Sequence, residues 1–160
     1  MSFVTCDICD AHEDKVRVVA GLQWRSYGGR SAFSGEVVTV KCFEDNSRVK
    51  EVLATAGHGK VLVVDGGGSL RMALIGDMIG DSAVKHGWQG VVIHGACRDV
   101  DELARLDLGV VTLGCVPLKS VRRGEGQLNV EVSLGGVVIR PGDHIYVDNN
   151  GVVVSTEKLI

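Results

Sequence analysis

Three short, unbroken aliphatic runs punctuate the middle of the chain: Val61-Leu62-Val63-Val64, Val91-Val92-Ile93 and Val110-Val111-Thr112-Leu113. Runs without polar alternation mark strands buried on both faces, as when helices cover a parallel sheet. Between the first two lies a helical pattern, with Leu74, Ile75, Met78, Ile79 and Ala83 on one side, stopping near His86-Gly87. Asp99 to Arg105 reads as a shorter helix before the third run. Alternation of this kind gives βαβ units, so a parallel core sheet is expected.

The flanks differ from this core. A short helix over Cys6–Ala11 is expected, with Thr5 as its N-cap, then a loop-rich stretch from Trp24 to Gly35 and a strand over Glu36–Val40. Asn46 or Ser47 can cap a helix carrying Val49, Val52 and Leu53 at i, i+3, i+4, and Gly57 can end it. Toward the C-terminus, Leu128, Val130 and Val132 alternate with polar residues. Gly135-Gly136, Pro141-Gly142-Asp143 and Asn149-Asn150-Gly151 are turn signals around Val137–Ile139 and Ile145–Val147. Antiparallel strands are expected there. The fold class is α/β: residues 1–160 as one domain, a parallel βαβ core with antiparallel C-terminal strands.

Composition narrows the function classes. The net charge is -3, and Arg122-Arg123 is the only clustered basic pair. Nucleic-acid binding calls for a basic stripe, so no direct RNA or DNA contact is expected. No apolar run nears the roughly 18 residues needed to cross a bilayer, and the first residues lack a secretory pattern. The five cysteines are an odd number in apolar contexts, which suits a reducing compartment. A cytoplasmic protein with no membrane partner is expected.

Ligands of open α/β sheets bind beyond the carboxyl ends of the strands. Two such ends are polar and glycine-rich here: Asp65-Gly66-Gly67-Gly68-Ser69 and His94-Gly95-Ala96-Cys97-Arg98-Asp99. Gly76-Asp77-Met78-Ile79 lies between them, near a helix start whose free N–H groups suit a carboxylate or phosphate. Arg98 offers a cationic fork for a carboxylate. Asp99 and Asp77 are hard oxygen donors of the kind Mg²⁺ or Mn²⁺ takes. The same residues also admit a plainer reading, in which Arg98 and Asp99 pair at the surface and Asp99 caps the next helix. Cys6-Asp7-Ile8-Cys9 lacks the further ligands of a structural zinc site. GxxxxGK[ST] and GxGxxG are both absent, which argues against nucleotide binding. A lone His94 at a strand end is a weak candidate for a general base, and Trp24 and Trp88 read as packing residues.

Three segments taken together, VLVVDGGGSLRMALIGDMI (61–79), GWQGVVIHGACRDVDEL (87–103) and PGDHIYVDNNGVVV (141–154), resemble the regulator-of-ribonuclease-activity-A-like family. That family also includes 4-hydroxy-4-methyl-2-oxoglutarate aldolases. The resemblance implies a swivelling-type β/β/α domain assembled as a homotrimer. It implies that Arg98 binds a 2-keto acid and acts in catalysis, that Asp99 holds a divalent metal, and that Glu102 completes the acidic signature. It implies further that Gly76, Asp77, Met78 and Ile79 receive the pyruvate carboxylate, with Asp77 near the metal's waters. The activity implied is a metal-dependent (Mg²⁺ or Mn²⁺) pyruvate aldolase that also decarboxylates oxaloacetate. The alternative implied is a non-catalytic regulator that binds an endoribonuclease by protein–protein contact.

Overall fold

The computed structural model describes residues 2–160. Its four central strands are β3 (Phe33–Lys41), β4 (Lys60–Asp65), β6 (Gly90–Cys97) and β7 (Gly109–Cys115), paired in parallel in that spatial order. The aliphatic runs of the sequence form the middle of β4, β6 and β7. Their side chains divide by parity: Leu62, Val64, Val91 and Ile93 point to one face, Val61, Val63 and Val92 to the other. All seven are fully buried. Truncating a residue such as Leu62 or Ile93 to Ala would cost about 2–5 kcal/mol.

Three helices cover the first face: α2 (Ser47–Leu53), α3 (Asp77–Lys85) and α4 (Val100–Leu103). Across the sheet, the hairpin of β9 (Val132–Leu134) and β10 (Val137–Ile139) buries Val132, Leu134 and Ile139 against the second face. The result is a β/β/α layering. Antiparallel strands extend the sheet beyond β3 in the order β11 (His144–Asp148), β12 (Gly151–Ser155), β1 (Val16–Val18). At the far end β2 (Arg25–Ser26) pairs with β7, and β8 (Gln127–Leu128) adds to the end of β3. Helix α1 (Thr5–Ala11) packs Ile8 on Tyr146 and Val153. Among the described residues no helix is long and apolar enough to cross a membrane.

Several local expectations are corrected. Thr5 is the first residue of α1 rather than its cap; Asp148 instead accepts the Thr5 N–H at 2.8 Å and its hydroxyl at 2.6 Å. A carboxylate from a distant strand end thus does the capping. Asn46 makes no side-chain cap; Asp45 accepts the Ser47 N–H at 2.9 Å. Leu74 and Ile75 lie in β5 (Ala73–Ile75), a short strand parallel to β6, and α3 starts only at Asp77. Their i, i+4 and i, i+3 spacings to Met78 are incidental to a strand separated from the helix by Gly76 alone. Part of the stretch from Trp24 to Gly35 belongs to β2 and β3.

Candidate functional site

Beyond the carboxyl ends of β5, β6 and β7, three turns converge. The β5–α3 turn is Gly76, the N-cap of α3, and the β6–α4 turn is Arg98-Asp99. The Arg98 N–H donates to the Ile75 carbonyl at 3.0 Å, so the first two turns start in register. The segment after β7 runs alongside β5, with the Ala73 N–H bonded to the Leu118 carbonyl and the Ser120 N–H to the Ala73 carbonyl.

Asp99 holds the junction. Its Oδ2 accepts the backbone N–H of Asp77 at 2.9 Å, while Arg98 Nε stands 3.9 Å from the same oxygen. Asp99 adopts φ +57°, a left-handed conformation uncommon for a residue with a side chain. Such backbone concentrates at functional sites, where surrounding structure holds it in place. Asp99 stands at the N-cap of α4, as the plainer reading has it, and its carbonyl accepts the Leu103 N–H at 2.9 Å, but its side chain makes no capping bond there and turns to Asp77 instead. A Cβ at Gly76 would lie 2.5 Å from Asp99 Oδ2, so any larger residue here would displace the Asp99 carboxylate.

The turns enclose a small cavity of about 50 Å³. Gly76, Asp77, Met78, Ile79, Arg98 and Asp99 all line it, so the structure brings together the residues proposed from sequence. Glu102, exposed on α4, does not. The N–H groups of Met78 and Ile79 fall in the first turn of α3, without intrahelical acceptors and without a side-chain cap. They are free to bind an anion, whereas the Asp77 N–H is committed to Asp99.

Asn46, Lys119, Ser120 and Arg122 also line the cavity and were missed from sequence. Arg122 Nε donates to Asn46 Oδ1 at 3.1 Å, which fixes a second guanidinium at the rim. Ser120 Oγ is buried with no partner among the described residues, an unsatisfied group that a ligand can satisfy. Applying the strand-end rule to β7 as well as to β4 and β6 would have pointed to this segment.

The donor set fits a hard divalent cation. Asp99 Oδ1 takes part in no hydrogen bond among the described residues, and the exposed Asp77 lines the same cavity. Mg²⁺ binds through one or two carboxylates, retaining waters or taking substrate oxygens for the rest. Among the described residues no three His, Cys, Asp or Glu side chains converge on one point, so an all-protein cage is not on offer. His94 is not part of the cavity. Its Nδ1 lies 3.9 Å from Asp65 Oδ1, and its ring packs edge-on to Trp24. Trp88 is a core residue whose Nε1 donates to the Thr55 carbonyl.

The family description RraA-like (Aldolase/RraA) matches residues 5–154. The chain belongs to the RraA-like family. A protein of Alcanivorax borkumensis, provisionally named 4-hydroxy-4-methyl-2-oxoglutarate aldolase, is 70% identical over the full length of both chains. One of Acinetobacter baylyi with the same provisional name is 59% identical over 99% of this chain and 96% of its own. Among solved structures, the chain is similar to an S-adenosylmethionine:2-dimethylmenaquinone methyltransferase of Geobacillus kaustophilus. That match has a TM-score of 0.95 and 44% identity, over 98% of this chain and 97% of the other. It is also similar to the RNA-processing inhibitor RraA of Thermus thermophilis, with a TM-score of 0.93 and 39% identity over 100% and 96%. These similar proteins carry three different descriptions, and fold alone does not choose among them.

Proposed function

We propose that this RraA-like protein is a divalent-metal-dependent pyruvate lyase. It cleaves 4-hydroxy-4-methyl-2-oxoglutarate into two molecules of pyruvate and decarboxylates oxaloacetate. The observation that carries this reading is the bond from the Asp77 amide to Asp99 beside Arg98, which assembles an anion site and a hard-oxygen site on one spot. The aldolase name of the relatives at 70% and 59% identity supports the same class. A cavity of about 50 Å³ suits the keto-acid end of a small substrate.

In this account Arg98 and the N–H groups of Met78 and Ile79 orient the carboxylate of the 2-keto acid. Asp99 would hold Mg²⁺ or Mn²⁺, which would supply Lewis acidity when bound. In the retro-aldol reaction the C3–C4 bond breaks and its electron pair enters the keto group, giving pyruvate enolate. The 4-hydroxyl loses its proton and becomes the keto group of the second pyruvate, with Asp77 placed to accept that proton through a water. Oxaloacetate loses CO₂ from the corresponding bond and gives the same enolate, which is then protonated at carbon. Arg98 stabilises the charge that develops on oxygen.

Metal-stimulated release of pyruvate from both substrates, abolished by EDTA and restored by Mg²⁺ or Mn²⁺, tests the reading. Pyruvate release unaffected by EDTA would overturn its metal dependence.

A second reading is favoured by the RNA-processing inhibitor at TM-score 0.93. In it the chain binds an endoribonuclease through protein contact. Phe43, Leu70 and Leu118, on turns at the carboxyl end of the sheet, and Met78, in the first turn of α3, are large, apolar and exposed. Such a rim suits a protein partner or the other subunits of a homotrimer.

A further inference from the structure

Cys97 and Cys115 are the last residues of the neighbouring parallel strands β6 and β7, and they are direct register partners. The Val116 N–H donates to the Cys97 carbonyl at 2.9 Å, so the pairing persists to the strand ends. Adjacent strands run about 4.7–4.9 Å apart, and disulfide-linked residues have Cα atoms roughly 4.4–6.8 Å apart. The register pairing of the two cysteines therefore meets the Cα spacing that a disulfide needs.

The two thiols are unlike. Cys115 is exposed and open to solvent oxidants, while Cys97 is fully buried and also accepts a contact from Thr112 Oγ1 at 3.7 Å. An oxidant thus reaches Cys115 first, and Cys97 is held next to the product.

We propose that Cys97 and Cys115 form a peroxide-responsive thiol pair that closes to a reversible disulfide one residue from Arg98. The Cys115 thiolate attacks hydrogen peroxide, the O–O bond breaks, and water and a Cys115 sulfenic acid form. Cys97 then attacks the sulfenyl sulfur. The S–O bond breaks, a second water leaves with the Cys97 proton, and the bridge closes. Two thiols and one peroxide give one disulfide and two waters. The pair lies outside the cavity lining, so the inference does not depend on which reaction Arg98 serves.

Peptide mapping of the folded protein after hydrogen peroxide treatment tests the proposal. Tryptic cleavage after Lys85, Arg98, Arg105 and Lys119 leaves the two cysteines on separate peptides. The expected product is residues 86–98 joined to residues 106–119, released by dithiothreitol. It should persist in a Cys6→Ser/Cys9→Ser variant and vanish in Cys115→Ser. Complete alkylation of Cys97 after treatment would overturn the proposal, whether Cys115 is found as sulfinic acid or linked to Cys115 of another chain. A bridge that forms only when urea is present would overturn it equally.

Discussion

Asp99 Oδ2 accepts the backbone N–H of Asp77 at 2.9 Å, a bond that joins two βα turns separated by 22 residues. It fixes the start of α3 against the end of β6 and sets Arg98 on the same carboxylate. Everything proposed for the site depends on this junction.

Gly76→Ala tests the junction without touching a charged group. The added Cβ would fall 2.5 Å from Asp99 Oδ2 and 3.3 Å from Arg98 Cγ, so one of the two side chains must move. Gly76 itself is extended, at φ −138°, and an alanine there carries no backbone penalty of its own. A 1 Å misplacement at a reacting group costs on the order of 100-fold in rate. The variant should fold normally by circular dichroism and lose that much turnover.

How far the sequence revealed this site follows from where its signals were local. The buried strands were legible because unbroken Val, Leu and Ile runs leave no other way to bury both faces. Arg98, Asp99 and Gly76 were legible because they sit at strand ends in polar, glycine-rich turns. Asp45, Ser120 and Arg122 were not, since their roles depend on the segment after β7 folding back beside β5. The Thr5 cap failed for the same reason: its partner, Asp148, lies 143 residues away. Contacts between distant segments leave no pattern in a single short window of sequence.

Asp45 makes the fold acid-sensitive in a defined window. Burial works to raise its pKa, but bonds from the Ser47 hydroxyl and N–H and from the Arg123 and Glu125 N–H groups outweigh it and hold the carboxyl at about 2. A folded-state value below the unfolded one gives stability that is fully present above about pH 4 and is lost as pH falls toward 2. Urea unfolding at stepped pH should show this loss, on the order of 1–2 kcal/mol, in the wild type. Asp45→Asn should be less stable at neutral pH and should lack that part of the acid dependence.

The exposed side chains of Phe43, Leu70 and Leu118, with Met78 at 82% exposure, predict self-association around the site. Light scattering of the purified protein should give the mass of a homotrimer. A monomer mass at micromolar concentration would contradict this.

A regulatory role, if the chain has one, should run through protein rather than RNA. The net charge of -3 offers no clustered basic surface to neutralise phosphates. An endoribonuclease should be retained by the immobilised protein after RNA has been digested away. Tight, salt-sensitive binding to RNA alone would contradict the expectation.

The most direct measurement is pyruvate release from oxaloacetate with Mg²⁺ or Mn²⁺, comparing wild type with Asp99→Ala and Arg98→Ala. Asp99 lies in the turn after β6, outside the buried core, so its removal should free the start of α3 but leave the sheet folded by circular dichroism, while abolishing metal-stimulated turnover. Arg98→Ala should retain metal binding and lose on the order of 100- to 1000-fold in rate. Arg98→Lys should recover only part of it, since an ammonium cannot reproduce the bidentate fork. Equal metal-stimulated rates for wild type and Asp99→Ala would contradict the lyase account.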